Sequence, residues 1–148
     1  MAGETIQLVI VTPERQLLSE AVAEVTLPGA DGYLGVLPGH APLITELGIG
    51  ELKYRAASGA PEKILAIMRG FAEVLPERVT VLAETAERAE EIDLQRAKEA
   101  LSRAEQRIAK PTPEIDWDRA NSALQRALVR IHVAEYAHGH RTSALERS

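Results

Sequence analysis

Apolar and polar residues alternate along the first 86 positions of the chain and recur every three or four positions along the rest. Alternation with period two is the mark of strands lying on a core, and a period near 3.6 is the mark of helices. The change falls within Thr85–Ala97, with the joint at about Glu87–Ile92. Ahead of it, Ile6–Thr12 is a β-branched run ended by Pro13. Ala23, Val25 and Leu27 alternate with Glu24 and Thr26 before Pro28-Gly29, and Leu52 and Tyr54 alternate with charged residues before Ser58-Gly59-Ala60-Pro61. Ile64–Met68 is a short run of buried type, and Phe71–Leu75 and Val79–Ala83 flank Pro76-Glu77-Arg78. About nine short strands separated by turn residues predict an antiparallel sandwich or barrel over 1–86.

Behind the joint, Leu94, Ala97, Leu101, Ala104 and Ile108 are spaced 3, 4, 3, 4. Trp117, Ala120, Leu124, Ala127, Ile131 and Ala134 continue the same spacing. Both are heptad seams. Asp93 and Asp116 each stand directly before a seam, where a helix wants an N-cap. Ala109-Lys-Pro-Thr-Pro-Glu114 between them cannot continue a helix. The pattern predicts an antiparallel helical hairpin over 87–136, burying alanines and leucines against each other. Two helices of this length are marginal alone, so the hairpin is expected to detach. Residues 137–148 lack periodicity and are expected to be a flexible tail.

Composition narrows the classes. The chain has 148 residues, 45% hydrophobic and 26% charged, a normal soluble balance and a length for one ordinary domain or one small domain plus an appendage. Aromatics are 3%, so the core must be aliphatic. With no cysteine there are no disulfides, thiolate metal sites or cysteine nucleophiles, in keeping with a reducing compartment. No signal-peptide pattern opens the sequence, and no apolar run reaches the ~18 residues of a membrane helix. Membrane association is therefore expected only through a partner. Positions 1–86 carry 11 acidic and 6 basic side chains, and positions 87–148 carry 11 of each. The acidity of the first half argues against nucleic acid as its ligand.

Candidate chemistry is sparse. Gly29–Leu43 holds four glycines and two prolines in fifteen residues, which imposes an unusual backbone path. It lacks the Gly-Lys-Ser/Thr of a phosphate loop, and no helix follows it. It is either a rigid contact loop offering Tyr33, Leu34, Val36 and Leu37 to a partner or a plain connection. His40 has no nucleophile placed to use it, since Ser19 and Ser58 lie outside any Gly-x-Ser-x-Gly elbow. His138 and His140 have no third ligand. No catalytic or metal site is expected. On the hairpin, Asp93 takes heptad position g, Arg96 and Arg103 take c, Arg119 and Arg126 take c, and Arg130 takes g. In an antiparallel pair, g faces g, so these residues share one edge. Five arginines there can hold a polyanion such as a nucleoside triphosphate, face an acidic protein surface, or form a solvated basic face.

Gly32-Tyr-Leu-Gly-Val-Leu-Pro-Gly-His-Ala-Pro-Leu43 resembles the signature loop of the epsilon subunit of bacterial F-type ATP synthase. Gly70-Phe-Ala-Glu-Val74 is similar to that family's Gly-Gly-Phe-x-Glu-Val strand, with Arg69 in place of the first glycine. Ile92-Asp-Leu-Gln-Arg-Ala97 resembles the Ile/Leu-Asp-x-x-Arg-Ala motif of its ATP-binding members, and Arg119-Ala, Arg126–Arg130 and Val133-Ala134 match its second helix.

The resemblance implies a β-sandwich of about ten strands followed by a two-helix hairpin, in a non-catalytic subunit of the rotor. The sandwich would sit at the foot of the central stalk, against the gamma subunit and the c-subunit ring, with Tyr33, Leu34 and His40 as the rotor contact. The hairpin would be regulatory, reaching up when extended among the alpha and beta catalytic subunits to inhibit ATP hydrolysis. ATP, a regulatory ligand rather than a required cofactor, would hold the hairpin down through Ile92, Asp93, Arg96, Ala97, Arg103, Arg126 and Arg130. Five of those residues are on the edge assigned from heptad positions alone. The implied location is the cytoplasmic face of the bacterial inner membrane, reached through the complex. The alternative is a free-standing ATP-binding sensor module.

Overall fold

The computed structural model describes residues 4–146, with side chains as far as Gly139. Seven strands form one hydrogen-bonded sheet: β1 (Ile6–Val11), β2 (Gln16–Val22), β3 (Glu24–Gly29), β4 (Gly32–Val36), β5 (Leu43–Arg55), β6 (Glu62–Val74) and β7 (Arg78–Arg88). A 3-10 turn at Ala89–Glu91 leads to α1 (Leu94–Ala109) and α2 (Trp117–Glu146). The chain divides into two compact units, Met1–Glu87 and Arg88–Ser148.

The strand order is β2-β1-β7-β6-β5-β3-β4. Only Ala23 separates β2 from β3, yet five strand spacings lie between them in that order. Five spacings in a flat sheet are roughly 24 Å. Two chain steps reach at most about 7 Å. The sheet must therefore fold over until β2 runs on into β3, which makes the two layers of a sandwich. The fold line crosses β3 at its register shift before Gly29, which pairs with Leu47, and crosses β6 where Gly70 also pairs with Leu47.

Two expectations need correction. Among the described residues the strands number seven, not nine or ten, and β6, 13 residues long, merges what reads as two separate runs. Ile64–Met68 and Phe71–Val74 are one strand in continuous register with β5. The sheet is also not wholly antiparallel, since β1 lies parallel to β7, with Gln7 opposite Arg78 and Val11 opposite Leu82. That pairing joins segments some seventy positions apart, and no local pattern announces it.

Alternation decides which side chains go inside. Ile6, Leu8 and Ile10 of β1 are fully buried while Gln7, Val9 and Val11 are half-buried. Leu27, Leu47, Leu52, Ile67, Val74 and Val79 complete an aliphatic core in which Tyr54 is the buried aromatic residue. Each such side chain contributes about 1.5–3 kcal/mol through burial.

Arg69 and Gly70 both carry positive φ, 60° and 134°. A left-handed conformation costs an L side chain about 1–2 kcal/mol. Arg69 bears that cost where the resemblance expects glycine. Arg69→Gly removes it but loosens the unfolded chain by roughly 0.5–1 kcal/mol. The expected net result is a gain of up to about 1 kcal/mol, read as a higher urea midpoint at unchanged slope. A loss of stability would show that contacts of the Arg69 side chain outweigh its backbone strain.

In the second unit, Asp93 is extended (φ −80°, ψ 100°) and its Oδ1 accepts from the Arg96 N–H at 3.0 Å. Asp116 Oδ1 accepts from the Arg119 N–H at 3.1 Å. Both caps fall where the sequence places them. The buried residues of the seam are the alanines, Ala97 and Ala104 on α1 and Ala120, Ala127 and Ala134 on α2. The larger seam residues Leu94, Leu101, Ile108, Leu124 and Ile131 are only half-buried. Alanine at every contact layer lets helix axes approach toward ~8 Å and pushes the larger side chains to the flank. α2 is helical as far as Glu146, beyond Ala137 where the expected tail begins. Adding residues to a helix already nucleated costs little, even without an apolar stripe.

Candidate functional site

The hairpin edge is built by a repeated dipeptide. Arg96-Ala97, Arg103-Ala104, Arg119-Ala120 and Arg126-Ala127 each set an arginine directly before a buried seam alanine. The antiparallel order, with Lys98 within ion-pair reach of Glu135, puts Ala97 level with Ala134 and Ala104 level with Ala127. Arg103 therefore lies level with the stretch between Arg126 and Arg130, Arg96 lies one heptad nearer the start of α1, and Arg119 lies toward the hairpin turn. Lys98 and Glu135, both at heptad position e, form an ion pair at 3.9 Å. That pair marks the opposite edge, since e faces e when g faces g.

Arg96, Arg103 and Arg119 are exposed, while Arg126 and Arg130 are half-buried. Among the described residues, no carboxylate pairs with the side chains of Arg96, Arg103 or Arg126. Ile92 is half-buried and extended (φ −89°, ψ 124°), and Ala97 is buried in the seam. Ala97 can thus meet a ligand only through its backbone or the rim of its methyl group. Asp93 has one carboxylate oxygen engaged in the cap and a second left over. Arg119 lines a concavity of about 440 Å³ at the hairpin turn with Arg107, Lys110 and Asp116, toward the end of the edge away from Asp93. Closely spaced guanidinium groups repel one another, and a polyphosphate relieves that repulsion while offering each a bidentate partner.

The glycine-rich loop is the second candidate. Tyr33 is 61% exposed and lies across from Pro28. Its ring lies over Gly50, and the Glu51 N–H donates to its hydroxyl at 3.4 Å. A β-carbon on Gly50 would come within 2.8 Å of the Pro28 Cβ and 3.1 Å of the Tyr33 hydroxyl, so glycine there seats the tyrosine. Leu34 packs against the core, so it supports the loop from beneath. His40 is half-buried, with Nδ1 at 2.7 Å from the Ala41 carbonyl and its N–H donating to the Leu37 carbonyl at 3.2 Å. The Gly39 N–H donates to the Pro76 carbonyl at 2.8 Å, and the Gln7 N–H donates to the Glu77 carbonyl at 3.0 Å. The loop is thereby pinned to the β6–β7 turn.

A third surface escaped the sequence reading. Ile44 (72% exposed), Phe71 (57%) and Leu82 (55%) stand on the outer face of the first unit. Ile44 pairs with Glu73 and Phe71 with Glu46, so Ile44 and Phe71 are diagonal neighbours on one face. Leu75 and Arg78 exchange backbone hydrogen bonds across the β6–β7 turn, which sets Phe71 opposite Leu82. The signal was present in the phase of β6, where Ala72 and Val74 point inward and Phe71 and Glu73 outward. Among the described residues no three His, Asp or Glu side chains gather as a metal site, and no helix is long and apolar enough to cross a membrane.

The model of the ATP synthase delta/epsilon chain β-sandwich domain matches residues 5–89, and that of the delta/epsilon chain long α-helix domain matches residues 90–135. The chain belongs to the ATP synthase delta/epsilon family. The two models meet inside the 3-10 turn at Ala89–Glu91. The ATP synthase epsilon chain of Syntrophobacter fumaroxidans is 52% identical over 133 residues, covering 90% of this chain and 98% of that one. The epsilon chain of Koribacter versatilis is 52% identical over 111 residues, 75% of this chain and 77% of the relative. A chain in the OSCP/F1/c-ring structure of Euglena gracilis mitochondrial ATP synthase superposes with a TM-score of 0.74 at 26% identity, over 88% of this chain and 81% of that one. Family membership thus covers both the β-unit with its exposed loop and the hairpin with its arginine edge.

Proposed function

We propose that the chain is a non-catalytic central-stalk subunit of a proton-translocating F-type ATP synthase, helping to couple proton flow to ATP synthesis. Its β-unit docks on the gamma subunit and the c-subunit ring, and its hairpin restrains ATP hydrolysis at the alpha and beta subunits. ATP is a regulatory ligand on the edge formed by Asp93, Arg96, Arg103, Arg126 and Arg130, with Ile92 and Ala97 beside it. The subunit lies on the cytoplasmic face of the bacterial inner membrane and is held there only through the complex.

The observation that carries this reading is the division of labour at Glu87/Arg88. One unit exposes apolar side chains at Tyr33, Leu37, Ile44, Phe71 and Leu82, and the other exposes Arg96 and Arg103, which have no carboxylate partner among the described residues. An exposed apolar patch on a small unit marks a docking surface. It weighs against a free-standing sensor, which would leave that surface wet.

Deletion from Arg88 onward is the test. The remaining 1–87 unit is expected to fold, to assemble with the other stalk subunits, and to leave ATP hydrolysis faster than the full chain does. Hydrolysis rates of complexes rebuilt with each form measure the effect. Equal rates would refute regulation by the hairpin, and an aggregating fragment would show that the first unit needs the second.

A further inference from the structure

We propose that the concavity at the hairpin turn is a second anion site, separate from the ATP edge, that takes a single phosphoryl group. Heptad position sets Arg119 on the edge with Arg96, Arg103, Arg126 and Arg130, yet Arg119 has no place in the ligand set that the resemblance implies. The register of the hairpin gives the reason. With Ala104 level with Ala127, Ala120 falls level with Pro111, beyond Ala109 where α1 ends. Arg119 therefore faces the turn and not the helix that carries Arg96 and Arg103.

The turn supplies it with cationic neighbours. Arg107, in the last turn of α1, and Lys110, its C-cap, line one concavity of about 440 Å³ with Arg119. Arg96, Arg103 and Arg126 do not line it. All three lining cations are exposed, and among the described residues none of them has an ion-pair partner. Two carboxylates share the wall, Glu114 and Asp116, without pairing to them. Asp116 Oδ1 is taken by the Arg119 N–H. The wall is also set in shape. The Lys110 N–H donates to the Gln106 carbonyl at 3.0 Å, and the Ile115 N–H donates to the Thr112 carbonyl at 3.1 Å. Pro111 and Pro113 fix two further φ angles. Such preorganisation lowers the cost of binding. Three cations against two carboxylates leave an excess of one positive charge. A phosphoryl group, with about −1.5 to −2 charge and three acceptor oxygens, suits that excess. Two guanidinium groups can each grip it bidentately. A nucleoside triphosphate would bring its larger charge against Glu114.

The site can fail without touching the regulatory reading, since its first test uses the isolated full chain without nucleotide. Inorganic phosphate is titrated at constant ionic strength, so that screening stays fixed. Saturation is expected at roughly 1 mM. Amide resonances of residues 107–120 should shift, and those of residues 93–103 should not. Arg107→Ala and Arg119→Ala should each weaken binding roughly tenfold or more. Glu114→Gln should tighten it about threefold, by removing a like charge from the wall. Arg119→Ala should leave ATP affinity unchanged in isothermal titration. Glycerol 3-phosphate in a parallel titration separates the sources. Tighter binding than phosphate assigns a phosphate ester as the ligand, and weaker binding assigns free phosphate. Shifts spread evenly along both helices, or no saturation, would leave only a solvated basic face and overturn the site. So would a parallel loss of ATP binding in Arg119→Ala, which would merge the concavity with the edge. Tighter binding of a short poly-glutamate peptide than of phosphate would overturn it too, in favour of an acidic protein contact.

Discussion

Gly70→Ala should destabilise the β-unit by about 3 kcal/mol or more, the largest effect of any single methyl group in the molecule. Two costs add. The residue sits at φ 134°, a region open to glycine alone. Its new β-carbon would also strike the Leu82 carbonyl oxygen and lie 2.8 Å from the Ala83 Cα. Those atoms are β7 backbone, held in the sheet by β6 on one side and β1 on the other, so they cannot turn away as a side chain could. For a unit of this size the loss corresponds to a fall in melting temperature of roughly 12–24 °C, which calorimetry of the full chain would read. A loss below about 1 kcal/mol would mean that β6 and β7 can separate at the fold line without cost. The neighbouring Arg69→Gly acts in the opposite direction, so the two variants together test whether the bend, and not the strand pairing around it, governs stability here.

Arg126→Ala should weaken ATP binding roughly 10- to 100-fold, the effect of losing one charge-assisted contact worth about 1.5–3 kcal/mol. Arg126 is half-buried, and it lies near Arg103 beside the Ala104–Ala127 layer. It should therefore count for more than the fully exposed Arg119. Arg126→Lys should recover little, because an ammonium group lacks the planar fork that grips phosphate. Asp93 needs a subtler substitution. Asp93→Ala removes a cap worth about 1 kcal/mol along with any ligand contact. Asp93→Asn keeps an oxygen for the Arg96 N–H and changes only the charge. Isothermal titration of the three variants beside the unaltered chain, with Trp117 fluorescence as a second signal, separates capping from binding. Unchanged affinity in Arg126→Ala would refute the edge.

Much of this was legible in the residues because local rules govern it. The alternation of Ile6, Leu8 and Ile10, the caps at Asp93 and Asp116, and the break at Lys110–Glu114 all rest on neighbours within a few positions. What stayed hidden depends on distant partners. Nothing near β1 shows that it will lie parallel to β7, and nothing near Gly70 shows that Leu82 will press against it. The seam misleads for another reason. Spacing marks Leu101 and Ala104 alike as inward, but only the contact distance decides that alanine goes to the centre and leucine to the side. Phe71 and Leu82 are apolar members of their strand runs, yet the phase of those strands turns them outward. The Arg-Ala repeat was visible throughout, and only the pairing of the buried alanines sets which of its arginines lie near one another.

The parallel pairing of β1 with β7 also has a mechanical meaning. β7 ends at Arg88, where the chain leaves for the second unit, while β1 begins at Ile6 at the far end of the same pair. A force that drags the second unit away while the start of the chain is held pulls the two strands lengthwise past each other. Every hydrogen bond between them is then strained at once, so they must break together and cannot open one by one like a zip. Tension arriving through the joint meets the β-unit along its stiffest direction.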